Sequence, residues 1–144
     1  MSCGDSSLLF RHPTRRVRRA ELRDFLEDAV RRIARGRHIT CLITDDRELG
    51  RLNQRFRGRR GATDVLSFPS DGGGEIAISL ERAAEQAADH GHSLADEVRI
   101  LMLHRVLHLA GMDHETDSGE MAAAERRWRR RMGLPCGLIE RTPA

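Results

Sequence analysis

Three histidines, His104, His108 and His114, stand in the run His104-Arg-Val-Leu-His108-Leu-Ala-Gly111-Met-Asp-His114, a spacing that suits a metal ion. Residues four apart on a helix are neighbours on one face, with Cβ atoms about 5–6 Å apart. The first two imidazoles can therefore reach a common point. Gly111 tolerates positive φ and lets the chain leave the helix, which brings the third histidine within range. Three nitrogen ligands with a fourth position left for water is how catalytic zinc sites are built. The rival reading is a set of core histidines, because Val98, Leu101, Met102, Val106, Leu107 and Leu109 make the segment apolar almost all round. Each buried imidazole needs a partner, however, and one metal serves all three. His12, His38, His90 and His92 have no such spacing and read as surface or loop residues.

The same spacing occurs in metzincin proteases, which carry a glutamate after the first histidine as general base. Here that position is Arg105. A cation cannot take a proton from water, so ordinary zincin proteolysis is disfavoured. Imidazole nitrogens also suit copper and nickel, and spacing alone does not choose among these metals.

Positioning these residues is the task of a chain of 144 residues, enough for one domain with a proper core. Cys3, Cys41 and Cys136 are odd in number and widely spaced, which argues against a disulfide framework and for a reducing compartment. The N-terminus lacks the pattern of a signal peptide, and no apolar run approaches the ~18–20 residues needed to span a membrane. A cytoplasmic protein without membrane contact is expected. All 25 basic residues are arginine, and there is no tyrosine. Lysine Schiff-base and tyrosine general-acid chemistry are thereby excluded, and phosphate contacts from basic side chains fall to arginine. The arginines crowd around positions 15–19, 51–60 and 126–131, as phosphate-facing patches or as solvated faces.

Residues 6–11 suit a first strand, and apolar spacing predicts a helix over 18–35 closed by Gly36. His38–Thr44 reads as a strand, followed by a helix capped by Thr44 or Asp45 and reaching Arg57, with Leu49 and Leu52 inward. Asp64–Phe68 is a strand stopped by Pro69, and Glu75–Ser79 another after the turn at Asp71–Gly74. Helices are predicted at 80–90, at 93–110 with Ser93 and Asp96 as a capping pair, and at 117–132. The fold class is α/β (α+β): one domain over 1–144, with a small mixed four-stranded sheet flanked by about five helices and the histidine helix central.

A second segment, Leu52-Asn-Gln-Arg-Phe56-Arg57-Gly58-Arg-Arg-Gly-Ala-Thr63-Asp64-Val-Leu-Ser67-Phe68-Pro69, together with the histidine run, resembles the two signatures of the bacterial YbeY endoribonuclease family. Gly74-Glu75-Ile76 resembles its Gly-Asp-Ile strand, and Met121 fits its downstream helix. The likeness covers residues 40–132. Arg105 replaces the usual glycine, Met112 the usual tyrosine and Glu75 the usual aspartate.

The resemblance implies a zinc-dependent, single-strand-specific endoribonuclease acting in ribosomal RNA maturation, at the 16S rRNA 3′ end, and in ribosome quality control. It implies one zinc ion held by His104, His108 and His114, and Arg57 as the cation of the cleft. The implied partners are ribosomal RNA, the ribosome or its small-subunit proteins, and an assembly GTPase. Asp113 is expected either to orient a ligand imidazole or to form a turn, while Thr63, Asp64 and Ser67 shape the cleft floor. Glu115, the metal-activated water and the RNA 2′-hydroxyl all stay open as general base. The rival functions are a non-enzymatic zinc-containing ribosome assembly factor, whose fourth ligand would be Cys136 or a carboxylate, and then a metalloprotease.

Overall fold

The computed structural model describes residues 6–58 and 64–141, and of Arg57 the backbone alone. Four strands, β1 (Ser6–Phe10), β2 (His38–Thr44), β3 (Val65–Ser70) and β4 (Gly73–Ser79), form one sheet in the order β1-β2-β4-β3. β1 and β4 run parallel to β2, whereas β3 pairs antiparallel with β4 through a tight hairpin. Among the described residues there are six helices, α1 (Arg19–Ile33), α2 (Asp46–Arg57), α3 (Leu80–His90), α4 (Leu94–Leu109), α5 (Glu120–Arg131) and the short α6 (Leu138–Arg141). The mixed sheet with helices on it is the fold class expected from sequence.

Alternation along β2 turns Ile39, Cys41 and Ile43 to one face, and β4 adds Ile76 and Ile78 to it. On that face lie α1, through Leu22, Leu26 and Val30, and α4, through Val98, Leu101, Met102 and Val106. The far side of α4 presents Ile100, Leu103 and Leu107 to Met121 and Ala124 of α5 and to Leu134. α4 is therefore walled by apolar side chains on two sides, which explains its all-round hydrophobicity. Burying a Leu or Ile side chain is worth ~1.5–3 kcal/mol, so this helix is fixed firmly. No helix among the described residues is long and apolar enough to cross a membrane.

Asp45 caps α2 by accepting from Glu48 N at 2.8 Å, and Ser93 caps α4 by accepting from Asp96 N at 3.0 Å. Several boundaries differ from expectation. α1 ends at Ile33 with Ala34 as its cap, and Gly36 takes its positive φ of 76° in the turn beyond. β3 runs through Pro69, because it is an edge strand and a proline there need not donate to a neighbour. β4 begins at Gly73, so two of the three linker glycines belong to the strand. A Cβ on Gly74 would meet Leu109 Cδ2 at 2.7 Å and the Phe68 carbonyl oxygen at 2.9 Å. That bare patch of backbone lets the C-terminal end of α4 settle on the sheet.

Candidate metal centre

His104 and His108 share the face of α4 that looks into a cleft of about 590 Å³ floored by Val65, Leu66 and Ser67 of β3. α4 closes with Gly111 at φ 106° and with Met112 N donating to the Leu107 carbonyl at 3.1 Å. This Schellman-type turn reverses the chain and returns His114 to the cleft. The ring centroids are 4.8 Å apart for His104 and His108, 5.4 Å for His104 and His114, and 5.7 Å for His108 and His114. One ligand nitrogen from each imidazole lies within 4.8 Å of the others.

His104 is buried, and its Nδ1 shares a 2.7 Å hydrogen bond with Glu125 Oε2 of α5. That bond assigns Nδ1 as the protonated nitrogen of the neutral ring and leaves Nε2 as the atom with a lone pair. The other oxygen of Glu125 accepts from Ile139 N at 2.7 Å, so the carboxylate is itself held in place. Burial lowers the pKa of His104 against the opposing pull of Glu125. Burial first, and then the electrostatic influence of the neighbouring His104 and Arg105, pushes His108 down to about 4. Neutral imidazoles are the form that binds metal. His114 Nδ1 is buried with no hydrogen-bond partner among the described residues. Three convergent imidazoles, one oriented by a carboxylate and one with an orphaned nitrogen, fit a divalent cation.

Other residues take clear places. Asp113 forms the turn, accepting from Glu115 N at 3.1 Å, so the orienting carboxylate is Glu125 rather than Asp113. Glu125 was missed in sequence. Arg105 lines the cleft, half-buried, and its Nη1 donates to Ser67 Oγ at 3.4 Å. Ser67 lines the cleft as expected, whereas Asp64 directly precedes β3 and is not one of the residues that line it; burial raises its carboxyl pKa. Cys136 packs among the apolar side chains beside α5 and is not one of the three grouped ligands. Arg57 ends α2, four residues after the cleft-lining Asn53; its side chain, like Thr63, lies outside the described residues.

A family model described as Endoribonuclease YbeY matches residues 10–133. An Endoribonuclease YbeY from Solibacter usitatus is 51% identical over 138 residues, which is 94% of this chain and 94% of that one. Its counterpart from Koribacter versatilis is 56% identical over 107 residues, 72% of this chain and 70% of that one. A Thermotoga maritima protein of known solution structure superposes with a TM-score of 0.64 at 28% identity, covering 90% of this chain and 93% of that one.

Proposed function

Since the chain belongs to the Endoribonuclease YbeY family, we propose that it is a zinc-dependent enzyme that cuts single-stranded regions of ribosomal RNA. Its work on this reading is maturation of the 16S rRNA 3′ end and ribosome quality control in the cytoplasm. A single domain spanning 1–144 carries the activity, alongside small-subunit proteins and an assembly GTPase. The observation that supports it most is the convergence of three imidazoles in an open cleft, with Glu125 behind the first. Endoribonuclease action makes RNA the substrate.

His104, His108 and His114 would hold the ion, which when bound supplies Lewis acidity toward a phosphoryl oxygen. Glu125 keeps the His104 ring in the tautomer that offers Nε2. The Schellman turn at Gly111 fixes the distance of His114 from the helix pair. Arg57 is assigned to the charge that grows on the equatorial oxygens during phosphodiester cleavage, for which a guanidinium fork is well shaped. Asn53, one helical turn earlier, lines the same cleft. Arg105 stands where a zincin protease has its base, and a half-buried cation cannot fill that role.

The test is cleavage of a structured ribosomal RNA fragment by wild type and by His114→Ala, with metal content measured on both. Metal-dependent cutting in single-stranded regions, lost with the metal in the variant, is expected. Binding of RNA without cutting by either protein, with metal present only in wild type, would replace the enzyme with an assembly factor.

A further inference from the structure

Among the described residues that line the cleft, Arg105 is the one with a permanent positive charge, while Asp113 and Glu115 are its carboxylates. Asp113 and Glu115 belong to the turn that carries His114, whereas the Arg105 guanidinium reaches from α4 to Ser67 of β3. The cleft thus holds a cation against its β3 wall, on the residue next to the ligand His104. Arg105 directly follows His104 in α4, and its charge is felt at both His104 and His108. Any anion that comes to the imidazoles therefore enters the field of Arg105.

We propose that Arg105 is a phosphate-binding residue that seats one phosphodiester of the RNA on the β3 wall, and so fixes how the strand lies across the site. The proposal rests on the ribonuclease reading above and deepens it. A phosphodiester presents two non-bridging oxygens and one negative charge, and a guanidinium matches that pair with parallel N–H donors. The setting strengthens the attraction, since charges interact more strongly in a half-buried cleft than in open water. The related pattern usually has glycine at this position, and glycine has no side chain to offer. The contact is a property of chains that carry arginine here.

The experiment compares wild type, Arg105→Gln and Arg105→Lys, each loaded with metal. A fluorescein-labelled single-stranded 2′-O-methyl RNA is titrated by anisotropy over a range of salt concentrations, with metal content and thermal midpoint measured on every sample. Each phosphate contact on a single strand contributes about 0.7 to the slope of log affinity against log salt. Arg105→Gln is expected to lose about that much slope, and Arg105→Lys to restore it, at unchanged metal content and midpoint. A slope in Arg105→Gln equal to wild type overturns the assignment while leaving the ribonuclease reading intact. Loss of slope accompanied by loss of metal or a lower midpoint, not rescued by lysine, also overturns it, because Arg105 would then hold the cleft wall. A wild type that does not bind the RNA at all overturns both the assignment and the reading beneath it.

Discussion

Glu125 reaches His104 from the neighbouring helix, and its carboxylate orients a ring that would otherwise choose between two tautomers. Glu125→Gln keeps the shape and removes the charge. It is expected to weaken metal affinity by about 10–100-fold while leaving one binding site at saturation. Competition against a chromophoric chelator measures this, and an affinity equal to wild type would reduce Glu125 to a packing residue. Arg57→Ala addresses the other side of the chemistry. Removing one transition-state donor costs about 10²–10³ in kcat, so cleavage should fall by that order with metal stoichiometry intact. Loss of bound metal would make Arg57 structural. The histidines were legible because helix geometry and one glycine relate them within eleven residues. Glu125 was not, since it meets His104 from 21 residues away through the packing of α5 on α4. The signal available was its place four residues after Met121, an acid on the inward stripe of the helix.

At the scale of elements, Gly74 couples the sheet to the ligand helix. The Cδ2 of Leu109 lies 2.7 Å from where its Cβ would be, and Leu109 follows the ligand His108 directly. Gly74→Ala is an overpacking change and should cost about 1–3 kcal/mol. A lower thermal midpoint is expected in differential scanning calorimetry, together with weaker metal binding as the end of α4 is pushed off β4. An unchanged midpoint would mean that Leu109 rotates away without moving the helix. Sequence alternation located β2 to the residue, because alternation is a local signal. Pro69 misled because whether a proline ends a strand depends on which neighbour the strand has, and edge position is a property of the sheet. α6 escaped for a different reason. Four residues are too few for a period, and the helix is held by Arg141 and Glu140 through ion pairs to distant residues.

Across the whole molecule, α4 has a charge cluster at one end and the imidazoles at the other. Glu97 is fully buried, shares a 2.7 Å hydrogen bond with His92, and accepts from Arg141 at 2.8 and 2.5 Å. The pair joins residues 44 apart, so no sequence pattern announced it. Burial pushes the Glu97 carboxyl up, but Arg141 and then His92 outweigh it and hold the pKa below the ordinary value. A lowered pKa in the folded state means that the unfolded chain takes the proton first as pH falls. The stability from Glu97 is then fully present above the unfolded value of about 4.3, and is lost as pH drops through the folded value. Glu97→Gln leaves Arg141 buried without its carboxylate, which typically costs about 3–5 kcal/mol when a buried pair is broken. Urea denaturation at neutral pH should show that gap between variant and wild type. Below about pH 4 the gap should close, because protonation does to the wild type what the substitution does to the variant. A gap that stayed constant with pH would mean that Glu97 is not ionised in the fold. The clamp between α4 and α6 would then rest on shape and neutral hydrogen bonds alone.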